Sequence, residues 1–234
     1  HEYIIPFNQL LGIQCKRGVV WGELEFQLPE DKVVRLHGTE WQETQQFYHY
    51  LLQSWQHWSQ QMADVCYQVL SELQQYLLSQ VQRDSWLTRS DIRGFREKIE
   101  QKFSALPLPH ERIPEFEQCL PLWQFCLSWL NSTEQQRNER NRQWTEEILE
   151  RYQDFFETVE SSPLNPAQCR AVINGEDNLL VLAGAGSGKT SVLAARAAWL
   201  IKRKLASADQ ILLLAFGRDA ADEMNQRVIK STGE

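Results

Sequence analysis

With 234 residues, the chain is long enough for one large or two small domains around a buried core. Its 42% hydrophobic and 24% charged residues suit a soluble globular protein, and no apolar run approaches the roughly 20 residues that a membrane-spanning helix needs. A net charge of −7 excludes a protein that coats nucleic acid over its whole surface.

The acidic excess is uneven. Residues 1–160 carry 15 basic and 24 acidic side chains, whereas residues 161–234 carry 9 and 7, so a phosphate-binding surface is expected in the later part. His1-Glu2-Tyr3-Ile4-Ile5-Pro6 lacks the layout of a signal peptide and lacks an initiator Met, which predicts a start inside a longer reading frame. Cys15, Cys66, Cys119, Cys126 and Cys169 form no Cys-x-x-Cys pair, so they read as reduced, packed thiols of a cytosolic protein rather than zinc ligands.

Residues 3–37 read as a small antiparallel sheet, with strands over 9–15, 19–28 and 32–36. Lys16-Arg17-Gly18 and Pro29-Glu30-Asp31 supply the turns, and Leu24, Phe26 and Leu28 alternate with Glu23, Glu25 and Gln27 as in a half-buried strand. Thr39 and Gln42 form an expected capping box that opens a helix running into the seventies. Its apolar positions are Phe47, Leu51, Trp55, Trp58, Met62 and Val65.

A second helix is expected after Thr88, stopped by Leu106-Pro107-Leu108-Pro109, and a third opens at Pro114. Residues 121–160 read as long helix whose polar middle, 134–143, is expected to project into solvent or form a helical arm. Helices thus fill residues 40–160. Trp41, Trp55, Trp58, Trp123, Trp129 and Trp144 fall on apolar helix faces, which favours core packing over base stacking.

Ser161-Ser162-Pro163 marks the expected boundary between domains 1–160 and 161–234. Beyond it, residues 179–182 and 211–215 are short apolar runs of the kind found in parallel strands covered on both faces, with a crossover helix over about 189–204 between them. The predicted fold is therefore an α+β N-terminal domain joined to an incomplete α/β P-loop domain.

Ala183-Gly184-Ala185-Gly186-Ser187-Gly188-Lys189-Thr190 joins an apolar run to a helix, the context a P-loop requires. Glycines let consecutive N–H groups turn inward onto phosphate oxygens, and the helix N-terminus adds positive potential. Lys189 would reach the β- and γ-phosphates of ATP, and the Thr190 hydroxyl would help to hold Mg²⁺. The usual first glycine of the motif is replaced by Ala183. Upstream, Asn165 is a good N-cap, Pro166 a good first helical residue and Asn174-Gly175 a helix stop. Gln168 would offer its amide to adenine, or serve simply as a polar helix residue.

Leu164–Gln168 resembles the Q motif of UvrD/Rep-type superfamily 1 helicases, and residues 183–190 resemble their Walker A motif. Residues 211–227, ILLLAFGRDAADEMNQR, resemble their motif Ia. Residues 1–160 also resemble the N-terminal region of the helicase IV branch. The resemblance implies a RecA-like motor domain in a bacterial cytoplasmic protein that uses ATP and Mg²⁺ to translocate 3′ to 5′ on single-stranded DNA. It implies DNA contacts at Phe216, Gly217 and Arg218. Many relatives have Thr-Phe-Thr-Asn-Lys where this chain has Ala215-Phe216-Gly217-Arg218-Asp219, so Phe216 is expected either to stack on a base or to pack beneath its loop.

Asp222-Glu223 lies in a helix, where it cannot act as the Mg²⁺-holding pair at a strand end, and no second RecA-like domain follows in these residues. Alone, they are expected to bind nucleotide poorly and hydrolyse it negligibly. Two other readings stay open: a P-loop NTPase without DNA activity, and an adaptor whose residues 1–160 grip a protein partner or duplex DNA.

Overall fold

The structure is a computed structural model and describes residues 4–106, 113–131 and 133–233. The chain packs as two compact units, His1–Gln80 with Phe95–Asn131 and Val81–Gly94 with Ser132–Glu234. The packing therefore does not divide at 160/161. Trp144, Ile148 and Phe156 share one core with Cys169, Val172, Val192 and Trp199, so helices from both sides of that point bury each other's apolar faces.

The first unit opens with strands β1 (Gly12–Arg17), β2 (Gly22–Leu28) and β3 (Lys32–Thr39), an antiparallel sheet in the order β1-β2-β3. The first turn lies later than predicted: Lys16 and Arg17 belong to β1, and Gly18 donates its N–H to the Trp21 carbonyl at 2.9 Å to close the tip. Val19, Val20 and Trp21 are consequently exposed. Gly22 is pressed against Thr44, where a Cβ would come within 2.1 Å of the hydroxyl. The second turn matches its prediction, with Glu30 and Asp31 both at positive φ. Glu25 breaks the predicted alternation: it is buried on β2, and Lys16 and Arg35 on the flanking strands neutralise it. Leu10, Ile13 and Leu28 form the core under the sheet.

Helix α1 (Trp41–Val81) begins where expected, but Thr39 does not pair with Gln42; its hydroxyl meets that of Thr44 at 2.7 Å. The buried stripe of α1 is Thr44, Ser59, Ala63, Cys66, Leu70, Leu73 and Leu77, while Phe47 and Val65 are exposed. Small residues in the middle let neighbouring backbone approach, and Cys119 Sγ reaches the Ala63 carbonyl at 3.5 Å. Helix α2 is Arg89–Ser104; the predicted stop at Pro107 and Pro109 lies outside the described residues. A 3-10 turn opens at Pro114 and leads into α3 (Leu120–Asn131), which packs Trp129 edge-on against Phe95.

Within the predicted helix over 121–160 the described residues form α3, α4 (Thr133–Arg151) and α5 (Gln153–Thr158), with a turn at Tyr152 between the last two. In the second unit the polar stretch of α4 is solvated on one side, at Glu134, Gln135, Asn138, Glu139, Arg142 and Gln143, and packed on the other. Arg137 and Asn141 are buried, and Arg140 donates to the carbonyls of Val81, Arg83 and Ser85. Three further helices follow: α6 (Pro166–Ile173), α7 (Lys189–Lys202) and α8 (Arg218–Thr232), with α7 packed against both α6 and α8.

The runs 179–182 and 211–215 form no β-ladder among the described residues, contrary to the parallel strands expected. Leu180, Leu182, Leu212 and Leu214 are each about four-fifths exposed or more, at 81%, 86%, 79% and 79%. An apolar run gives a segment the capacity to be covered; a parallel strand exists only where neighbouring strands accept its hydrogen bonds. A three-stranded antiparallel sheet in the first unit, and helices in both, are the architecture that the described residues form.

Candidate nucleotide-binding site

Helix α6 fixes the first wall of the site. The Asn165 side chain accepts from the N–H groups of Ala167 and Gln168, both at 3.0 Å. The Gln168 carbonyl oxygen answers by accepting from Asn165 N–H at 2.8 Å, which completes a capping box. The same Gln168 donates through Nε2 to the Ser187 carbonyl at 3.1 Å and so ties this helix to the loop 183–190. One lone pair of its oxygen and one hydrogen of its nitrogen remain for a ligand.

The loop turns tightly into α7. Gly186 and Gly188 have φ of 72° and 83°, the left-handed region where glycine carries no Cβ penalty. A Cβ on Gly188 would also stand 2.6 Å from Gln168 Nε2. Ser187 Oγ donates to the Gly184 carbonyl at 2.7 Å, and Lys189 Nζ donates to the carbonyls of Gly184 and Ala183 at 2.7 and 3.3 Å. The Lys189 ammonium is thus held over the loop by neutral acceptors, which a phosphate oxygen outcompetes for a charged donor. Thr190 is exposed in the first turn of α7. Loop and helix border a cleft of about 500 Å³ lined by Gln168, Lys189 and the apolar side chains of Leu179, Val181 and Val192. No cluster of three metal-ligating His, Cys, Asp or Glu occurs among the described residues.

Neither Arg196 nor Arg227 was among the site residues expected from the sequence, although Arg227 closes the stretch that resembles motif Ia. Arg196 lines the same cleft from α7 and donates to the carbonyls of Ala171, Val172 and Asn174 at the end of α6. Burial holds its pKa below the usual arginine value. Its signal was a single charge inside Ala194-Ala195-Arg196-Ala197-Ala198. Arg227 on α8 bonds to Glu160 at 2.9 Å and to Ser191 on α7 at 3.1 Å, which fixes α8 beside the start of α7. Gly217 is the N-cap of α8, with Arg218 its first residue. Phe216, just before them, is fully exposed, so it does not pack beneath its loop.

Residues 164–234 match the protein family described as the UvrD/REP helicase N-terminal domain, the class that the loop and its flanking helix define. Residues 1–131 match the family described as DNA helicase IV / RNA helicase N terminal. The chain belongs to the DNA helicase IV family. It is 58% identical over 228 residues to DNA helicase IV of Escherichia coli (strain K12), which covers 97% of this chain and 33% of that protein. The ATP-dependent DNA helicase UvrD1 of Mycobacterium leprae (strain TN) is 48% identical over 71 residues, 30% of this chain and 9% of the relative. A probable DNA helicase II homolog of Rickettsia conorii is 50% identical over 76 residues, 32% and 11% of the two chains. This chain therefore spans about a third of its helicase IV relative, 33%, and smaller shares of the others. No solved structure matches it. No helix among the described residues is long and apolar enough to cross a membrane.

Proposed function

We propose that these residues form the front of an ATP-driven DNA helicase that translocates 3′ to 5′ on single-stranded DNA in the bacterial cytoplasm. Lys189 binds the β- and γ-phosphates, the N–H groups around Gly186 and Gly188 cradle them, and Thr190 holds Mg²⁺. Bound Mg²⁺ neutralises charge on the phosphate oxygens. Gln168 reads the adenine edge with the donor and acceptor positions that its capping role leaves open. Residues 161–234 then represent the opening of a RecA-like domain, whose strands 179–182 and 211–215 acquire ladder partners in the full-length protein.

Phe216, Gly217 and Arg218 are proposed to meet the DNA strand, the ring by stacking and the guanidinium by phosphate attraction. The observation that carries the reading is Lys189 held over a glycine loop at the head of a helix, beside a cleft that Gln168 also lines. Unwinding of partial duplexes by the full-length protein tests it: a 3′ single-stranded tail should support ATP-dependent strand separation. Unwinding from a 5′ tail alone contradicts the polarity, and unwinding from neither contradicts the helicase reading.

A further inference from the structure

The segment 81–94, which runs from the last residue of α1 into the first turns of α2, belongs to the second unit. Asp84 accepts from Trp144 Nε1 and Arg151, each at 3.0 Å, and from Arg203 through both its carboxylate and its carbonyl. Buried Asn141 accepts from Leu87 N–H at 2.9 Å and donates to Leu87 O at 2.8 Å. The far side of the segment lies on the turn 174–177, which joins the Gln168 helix to the run entering the glycine loop. Gly175 abuts Trp86, where a Cβ would be 2.6 Å from the Trp86 Cβ.

The same turn caps α2. Glu176 accepts from Arg89 N–H at 2.9 Å, Asp177 from Ser90 N–H at 3.2 Å, and Thr88 Oγ1 from Asp91 N–H at 3.1 Å. Three donors that a helix N-terminus ordinarily leaves to solvent are thereby satisfied, two of them by carboxylates from the turn. Glu176 also pairs with buried Arg137, and Asn174 accepts from Arg196 in the cleft wall. The turn is thus gripped from one side by 81–94 and from the other by a residue of the candidate site.

We infer that segment 81–94 is a strap that positions the turn 174–177, and through it the Gln168 helix against the glycine loop, making Gly175, Glu176 and Asp177 positioning residues for nucleotide binding. The functional part of this inference rests on the proposed nucleotide site.

The test uses full-length protein carrying Glu176→Ala with Asp177→Ala, beside Glu176→Gln, which keeps an acceptor for Arg89 N–H. Backbone hydrogen exchange should accelerate over 166–173 and 183–190 in the double variant. Its KM for ATP should rise roughly three- to tenfold, the equivalent of about one net hydrogen bond, with kcat near the parent's. Glu176→Gln should recover most of both effects. If the double variant does not fold, Gly175→Ala pushes the strap off the turn without removing a charge and should give the same pattern. Unchanged exchange and KM in a folded variant overturn the inference. A Lys189→Ala control separates the two proposals: normal ATP turnover there sinks the nucleotide site, while the exchange readout still decides the strap.

Discussion

The amide nitrogen of Gln168 donates to the carbonyl oxygen of Ser187 at 3.1 Å, while its amide oxygen caps its own helix by accepting from Asn165 N–H at 2.8 Å. One side chain therefore completes a helix start and holds the glycine loop beside it.

Gln168→Ala removes both bonds and should destabilise the protein by about 1 kcal/mol, with a rise in the KM for ATP. Gln168→Glu keeps the capping acceptor and loses the donor, so it should restore stability more than nucleotide affinity. Thermal unfolding measured beside KM separates the two; equal recovery of both contradicts the double role.

Gly188→Ala meets two obstacles, a φ of 83° and a contact of 2.6 Å with Gln168 Nε2. It should cost about 1–3 kcal/mol and displace Gln168 from the loop. Gly184→Ala, where nothing lies within 4 Å, should be tolerated by the fold. Denaturant midpoints of the two variants check the contrast, and equal losses would count against the geometry.

Asn141→Ala leaves the buried N–H and carbonyl of Leu87 without their side-chain partner, at a cost of about 2–5 kcal/mol by the penalty for orphaned groups. A change within experimental error in urea unfolding would show that this part of the strap contributes nothing to stability.

Burial works to raise the Asp84 and Glu176 pKa values, yet both end lowered. Asp84 is held down by Trp144, Arg203 and Arg151, and Glu176 by Arg89 N–H and Arg137. Carboxylates depressed in the folded state add stability above their unfolded pKa of about 4 and lose it as pH falls through the folded value. Stability should therefore be flat near neutrality and drop in acid, with Asp84→Asn and Glu176→Gln each shallowing the acid limb. An acid limb unchanged in both variants contradicts the assignment.

The parts legible in the sequence are those encoded over a few residues. Asn165, Pro166 and Gln168 specify the start of α6, and the glycines around Ser187 specify a loop opening α7 at Lys189. What escaped notice depends on distant partners. Arg137, Arg140 and Asn141 look like a solvated stretch because a polar side chain does not announce that it will meet a distant partner, Glu176 for Arg137 and the backbone of 81–87 for Arg140 and Asn141. The apolar runs 179–182 and 211–215 read as strands although, among the described residues, no ladder forms with them. The 160/161 boundary followed local composition, whereas the core joins Trp144 and Phe156 to Val172 and Trp199 across it. Residues 161–234 expressed alone should accordingly fail to fold cooperatively, and a sharp two-state melt of that piece would contradict the shared core.

The most direct test of the proposed motor is ATP hydrolysis by the full-length protein with and without single-stranded DNA, beside Lys189→Ala. Hydrolysis strongly stimulated by DNA and lost in the variant is the predicted result. Hydrolysis indifferent to DNA, or kept without Lys189, contradicts it.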